Sequence, residues 1–271
     1  MKITPTSRPA GQGFTLMEIL VVVAIITVLA AILFPVIGRV RSNSYRGEAI
    51  NRLKSLASAT ATYAAQNGGE LPAEDASGKD TWDATANTAG EKAWYNSLPR
   101  LLQRKGVGDF VKEGRTAAFY TNEFLGYLPG AAYPESKKLV KPYFAVAINT
   151  KLQRKDKDGV KGPVRFNNIV QPGRTVLFLE RGLPGEPQAH DTISTKKEYD
   201  GSCKASGKAF VARYSSRGLL AFADGHCDQF LAKDLLTITG DLVWDSTSAG
   251  GAGLIAIWTV DPKEDPNAKP Q

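Results

Sequence analysis

The feature that most constrains this chain is a lone acid at the mouth of a long apolar run. Glu18 is followed by Ile19–Gly38, twenty residues without a charge, and Arg39 closes the run. At about 1.5 Å rise per residue, a helix of that length crosses a hydrocarbon core of about 30 Å. A carboxylate at membrane depth costs several kcal/mol unless it finds a partner, so Glu18 calls for a functional explanation. A cleaved secretory signal has a shorter apolar core, about 7–15 residues, ahead of a small-residue cleavage site. Val36-Ile37-Gly38 is a poor site of that kind. A plain single-pass anchor accounts for the apolar run but not for the acid.

The residues before and into the run are Gly13-Phe14-Thr15-Leu16-Met17-Glu18. This string resembles the N-terminus of type IV pilins and of type II secretion pseudopilins. The resemblance implies that a prepilin peptidase cuts between Gly13 and Phe14 on the cytoplasmic side and methylates the new Phe14 amine. Glu18 lies four residues after Phe14, on the same helix face one turn on. In such filaments the carboxylate pairs with the terminal amine of the neighbouring subunit. Two charges that are costly alone in a dry bundle are tolerable together, and the pair sets axial register. Pro35 matches the family's helix proline, around which the resemblance implies a kink or local melting on assembly.

Charge alone leaves topology divided. Lys2 and Arg8 favour a cytoplasmic N-terminus, whereas Arg39, Arg41 and Arg46 pull the other way. The resemblance implies a single-pass inner-membrane protein with its C-terminal domain periplasmic or extracellular. The partners it implies are prepilin peptidase, other pilin-like subunits, an inner-membrane assembly platform and the lipid bilayer.

The formal net charge is +7, but the basic residues are scattered through Lys137-Lys138, Lys151 to Lys161 and Lys196-Lys197. Scattered lysines mark a solvated surface and argue against a nucleic-acid track. The two cysteines, Cys203 and Cys227, flank a predicted hairpin at nearly symmetric positions. Outside the cytoplasm they would form a disulfide; the alternative is two buried free thiols.

Along the chain the boundaries read as a leader at 1–13, a membrane and assembly helix at 14–38, and its extramembrane half at 39–66. A globular α+β domain at 67–260 and a flexible tail at 261–271 follow. Ile50, Leu53, Leu56, Ala57, Thr60, Tyr63 and Ala64 recur at helical spacing, and Asn67-Gly68-Gly69 stops the helix. Glu91 to Lys105 reads as an amphipathic helix with Trp94, Leu98, Leu101 and Leu102 on one face. Strands are expected at Tyr143–Ile148, Thr175–Leu179, Leu242–Trp244 and Leu254–Trp258. A hairpin is expected between Lys208–Tyr214 and Gly218–Ala223, about Ser215-Ser216-Arg217. The fold class is α+β and pilin-like: a long N-terminal helix with a C-terminal antiparallel β-sheet domain.

A second resemblance lies in Ala212-Arg213-Tyr214 and Leu220-Ala221-Phe222-Ala223-Asp224-Gly225-His226. It is similar to the C-terminal signature of a bacterial pseudopilin-like family, in which a His precedes Asp-Gly by ten positions. Here Tyr214 stands in place of that His, and Glu180 stands where the family's upstream strand often carries Asp. The resemblance offers Glu180, Asp224, Asp228 and His226 as an acid–base or calcium site, against a structural reading in which Asp224-Gly225 makes a tight turn. Asp156-Lys157-Asp158-Gly159 lacks the remaining ligands of a calcium loop. No nucleophile motif, phosphate loop or zinc spacing is present, so no enzyme activity and no cofactor are expected. The alternative functions are an extracellular module that binds polysaccharide or a secreted substrate, and an enzyme built on Asp224 and His226.

Overall fold

The computed structural model describes residues 15–135, 140–152, 164–186, 199–237, 239–244 and 256–268, without the side chain of Pro35. Gly13, Phe14 and His190 lie outside the described residues, as does the Asp156–Gly159 turn. The chain divides into two units, Met1–Asn43 and Ser44–Gln271.

Helix α1 runs Leu16–Gln66. The helix continues through position 35. In its second half, Ala49, Leu53, Leu56, Ala57, Thr60 and Ala64 form a buried stripe. These are positions separated by three, four or seven residues, which the 3.6-residue repeat brings to one side. Gly68 and Gly69 take φ of +64° and +87°, and the Gly69 N–H donates to Ala64 O at 2.7 Å, closing the helix as expected.

Short helices follow: α2 (Trp82–Ala86), α3 (Thr88–Glu91), α4 (Trp94–Leu101) and α5 (Val107–Lys112). The single helix expected over 91–105 is therefore divided and shorter. Buried Asn96 explains the arrangement. Its Nδ2 donates to Thr85 O and Gly90 O at 2.7 and 2.8 Å, and its Oδ1 accepts the Gly108 N–H at 2.7 Å. One amide thus satisfies backbone groups from three segments that would otherwise be buried unpaired. Trp94 and Leu98 are buried as expected, whereas Leu102 is exposed.

The sheet comprises β1 (Val146–Asn149), β2 (Val176–Glu180), β3 (Lys204–Ala205), β4 (Gly218–Phe222) and β5 (Cys227–Phe230), in the order β3-β1-β2-β4-β5. All neighbours are antiparallel except β1 and β3, so the sheet is mixed rather than purely antiparallel. Val146, Ile148, Phe178, Leu219 and Ala221 join the α1 stripe in one core. Ala147, Val176, Leu179, Leu220 and Phe222 face a second core with Phe210, Leu235, Leu242 and Trp258, the first two of these on the 199–237 segment that includes α6 (Ala232–Leu235). Burial on both faces explains why the strands read as apolar runs rather than alternating ones.

The hairpin falls one turn later than expected. The hairpin is formed by β4 and β5 about Asp224-Gly225. At the expected site, Ser215 and Ser216 do turn the chain, with φ of 53° and 65°, but only Tyr214 and Arg217 pair across them. Where the late strands were expected, the described residues form single bridges, Leu236 with Leu242 and Thr175 with Ile257, and Leu254 and Ile255 lie outside the described residues. The tail is held through Asn267, whose side chain accepts the Leu242 N–H at 2.8 Å and donates to Leu242 O at 2.9 Å.

The cysteines are both free. Cys203 abuts β3 at one sheet edge and Cys227 opens β5 at the other. Four strand spacings separate these edges, about 19 Å, whereas a disulfide needs Cα atoms within about 7 Å. Cys203 instead donates to Glu74 O at 3.3 Å.

Candidate functional site

The first candidate site is the start of α1. Thr15 is the N-cap and Glu18 the third helical residue. Glu18 Oε2 accepts the Thr15 N–H at 2.8 Å and the Thr15 hydroxyl at 2.9 Å, while the Glu18 N–H donates to Thr15 Oγ1 at 3.3 Å. This is a reciprocal capping box, in which a cap side chain and an acid one turn on satisfy helix-end donors. It places the carboxylate at the positive end of the helix dipole, where negative charge is favoured. The spacing Thr-x-x-Glu carries the signal for this cap, although sequence reasoning gave Thr15 no role.

From Ile19 to Gly38 the helix carries no charge and its large apolar side chains are unburied. Exposure is 48 % at Val21, the least exposed of the large apolar side chains from Leu16 to Val40. Thr27, the lone hydroxyl in the run, donates to Val23 O at 2.7 Å and leaves no polar hydrogen unsatisfied toward lipid. Among the described residues one helix, α1, is long and apolar enough to cross a membrane, consistent with a single-pass anchor.

A family model described as the prokaryotic N-terminal methylation motif matches residues 8–34. This chain carries that methylation motif. Together with the long apolar helix, the motif is consistent with a type IV pilin-like protein and indicates a prepilin-peptidase substrate. It implies processing by that peptidase and assembly with pilin-type subunits. No curated protein and no solved structure matches the chain.

The methylation motif covers the start of the chain alone, so the C-terminal signature rests on its own geometry. Tyr214, in the place of the family His, is buried, and its hydroxyl donates to Pro129 O at 2.9 Å. The adjacent Arg213 is the organising residue, and sequence reasoning gave it no role. Its Nε and Nη2 fork onto Glu186 at 2.9 and 2.6 Å, and Nη1 reaches Glu180 at 3.4 Å. Glu180 also accepts the Leu219 N–H at 2.8 Å. Burial pushes the Glu180 carboxyl up to about 7 against the attraction of Arg213. Glu186 is held below its ordinary value: burial opposes this, but the Arg213 fork and the Ala132 and Leu183 N–H groups prevail.

The expected metal candidates are not brought together. Glu180 projects into the α1 side of the sheet beside a guanidinium, an unfavourable place for a cation. Asp228 pairs with Leu220 and so lies on the opposite face. Its Oδ1 accepts the Gln229 N–H at 2.7 Å. Asp224 and His226 do meet at the hairpin tip, with Oδ1 2.6 Å from Nδ1, and the imidazole stacks on Phe222 at 4.3 Å between centroids. Among the described residues no group of three or more His, Cys, Asp or Glu side chains is placed to hold a metal ion. In the structure these residues tie a turn, a strand end and a loop.

Proposed function

We propose that this chain is a structural subunit, cut between Gly13 and Phe14 and assembled through Phe14–Gly38 into a type II secretion pseudopilus or a type IV pilus-like filament. The Ser44–Gln271 unit would then lie on the periplasmic side. The observation that carries this reading is the Thr15–Glu18 box at the head of an unburied apolar helix.

Cleavage after Gly13 would leave a cationic amine on Phe14, one residue before Thr15. Within one chain the Glu18 carboxylate is occupied by Thr15 through Oε2, which aims it at the helix end. A neighbouring amine is then the partner that neutralises it when helices pack side by side and exclude water. Apolar contacts between helices supply packing but little discrimination of register, because lipid is as apolar as the bundle. A single ion pair per interface supplies that discrimination.

The test is Glu18→Val in cells bearing the assembly machinery, with membrane fractionation and sheared-filament recovery read in parallel. The expected outcome is normal membrane insertion with filament incorporation lost. Normal incorporation of the variant would overturn the reading.

A further inference from the structure

The Ser44–Gln271 unit contains a cleft of about 520 Å³, within the range of about 300–1,000 Å³ usual for small-molecule sites. Its floor is charged. Lys204 Nζ stands 2.5 Å from Asp75 and 3.8 Å from Glu74, and the Glu74 side chain is 2 % exposed. Its walls are apolar or amphipathic, with Tyr63 from the last turn of α1 beside Leu71 and Ile148.

The floor is held by the core. Trp94 Nε1 donates to Cys203 O at 2.8 Å, and Cys203 Sγ donates to Glu74 O at 3.3 Å, so the acidic loop is tied to the strand edge. Asp75 Oδ1 accepts the Gly78 N–H at 2.9 Å, which closes the loop about its own carboxylate. Groups fixed in this way lose little freedom when a ligand arrives.

The charges decide the class of ligand. Lys204 stands between Glu74 and Asp75, and Glu70 and Lys92 line the cleft as well, so it presents carboxylates and ammonium groups together and matches neither a wholly cationic nor a wholly anionic ligand. A neutral polyhydroxylated ligand carries donors and acceptors together. It can donate to Asp75 and accept from Lys204 without breaking the pair, and hydrogen bonds to charged groups are the stronger kind. The Tyr63 ring offers an apolar surface with a polar rim to the C–H face of a sugar.

We propose that this cleft binds a neutral saccharide unit of a glycan. The proposal involves no residue before Ser44, so it stands or falls separately from the filament reading. The test is isothermal titration of the full chain in detergent micelles with chitotetraose and cellotetraose as probes, and with glycylglycine as the zwitterionic comparison. Saturable heat with either saccharide is expected, reduced about tenfold in affinity by Asp75→Asn, which retains an acceptor for Gly78 and loses the charge. Ser77→Trp at the exposed rim is the second variant and should abolish the heat by filling the mouth. Both variants are first checked for an unchanged thermal transition. No saturable heat at millimolar saccharide, heat untouched by whichever variant folds, or binding of glycylglycine instead would overturn the proposal.

Discussion

Arg213 grips Glu186 with two parallel hydrogen bonds, Nε to Oε1 at 2.9 Å and Nη2 to Oε2 at 2.6 Å, with both side chains 5 % exposed. Glu186 in turn accepts the Ala132 and Leu183 N–H groups at 3.0 and 2.7 Å. The pair therefore joins the segment after β2, the 131–133 loop and the approach to β4 in one buried polar network.

Removing one partner leaves the other charge buried. Arg213→Met should destabilise the Ser44–Gln271 unit by about 3–5 kcal/mol, because uncompensated burial rather than the lost attraction sets the cost. Urea unfolding followed by tryptophan fluorescence measures this. A loss below about 1 kcal/mol would place the pair among ordinary surface bridges.

Glu180 makes stability depend on pH. Its folded value of about 7 lies above the ordinary 4.5. A raised carboxyl contributes stability that is complete below the unfolded value and lost as pH rises through the folded one. The native protein should therefore lose stability between pH 4.5 and pH 7 relative to Glu180→Gln, which keeps an acceptor for Leu219. Comparing urea midpoints of the two proteins at acid and mildly alkaline pH tests the sign. Parallel pH profiles would show that Glu180 titrates at its ordinary value.

The sheet order separates the cysteines. Alkylation in denaturant without reductant, read by intact mass, should label two thiols per chain, Cys203 and Cys227. In the folded protein Cys203 should react slowly, since burial raises its thiol pKa and the thiolate is the reactive form. A mass two hydrogens lower and refractory to label would contradict the strand order.

Processing can be read directly. Gly13→Ser should leave the leader attached, and the mass of the mature N-terminus should then begin at Met1 rather than at a methylated Phe14. An unchanged mature N-terminus in the variant would place the cleavage elsewhere.

The sequence by itself determined the N-terminal helix, its membrane-length apolar run, the stop at Gly68-Gly69 and the match to the methylation motif. These depend on residues within about one or two turns of each other, and helical geometry converts such spacings directly into contacts. Strands β1 and β2 were legible as apolar runs for the related reason that burial on both faces removes polar alternation.

Only the tertiary structure decided which strands are neighbours, that Gly218–Phe222 turns forward to β5 rather than back to Lys208–Tyr214, and that Glu180 and Asp228 face opposite sides. It alone placed Arg213 between two glutamates and set Cys203 and Cys227 at opposite edges. A buried arginine and an exposed one look alike in a sequence, and the energy of a paired charge depends on groups brought together from distant positions. Register and strand order likewise follow from the packing of two cores on one sheet, which no local spacing records.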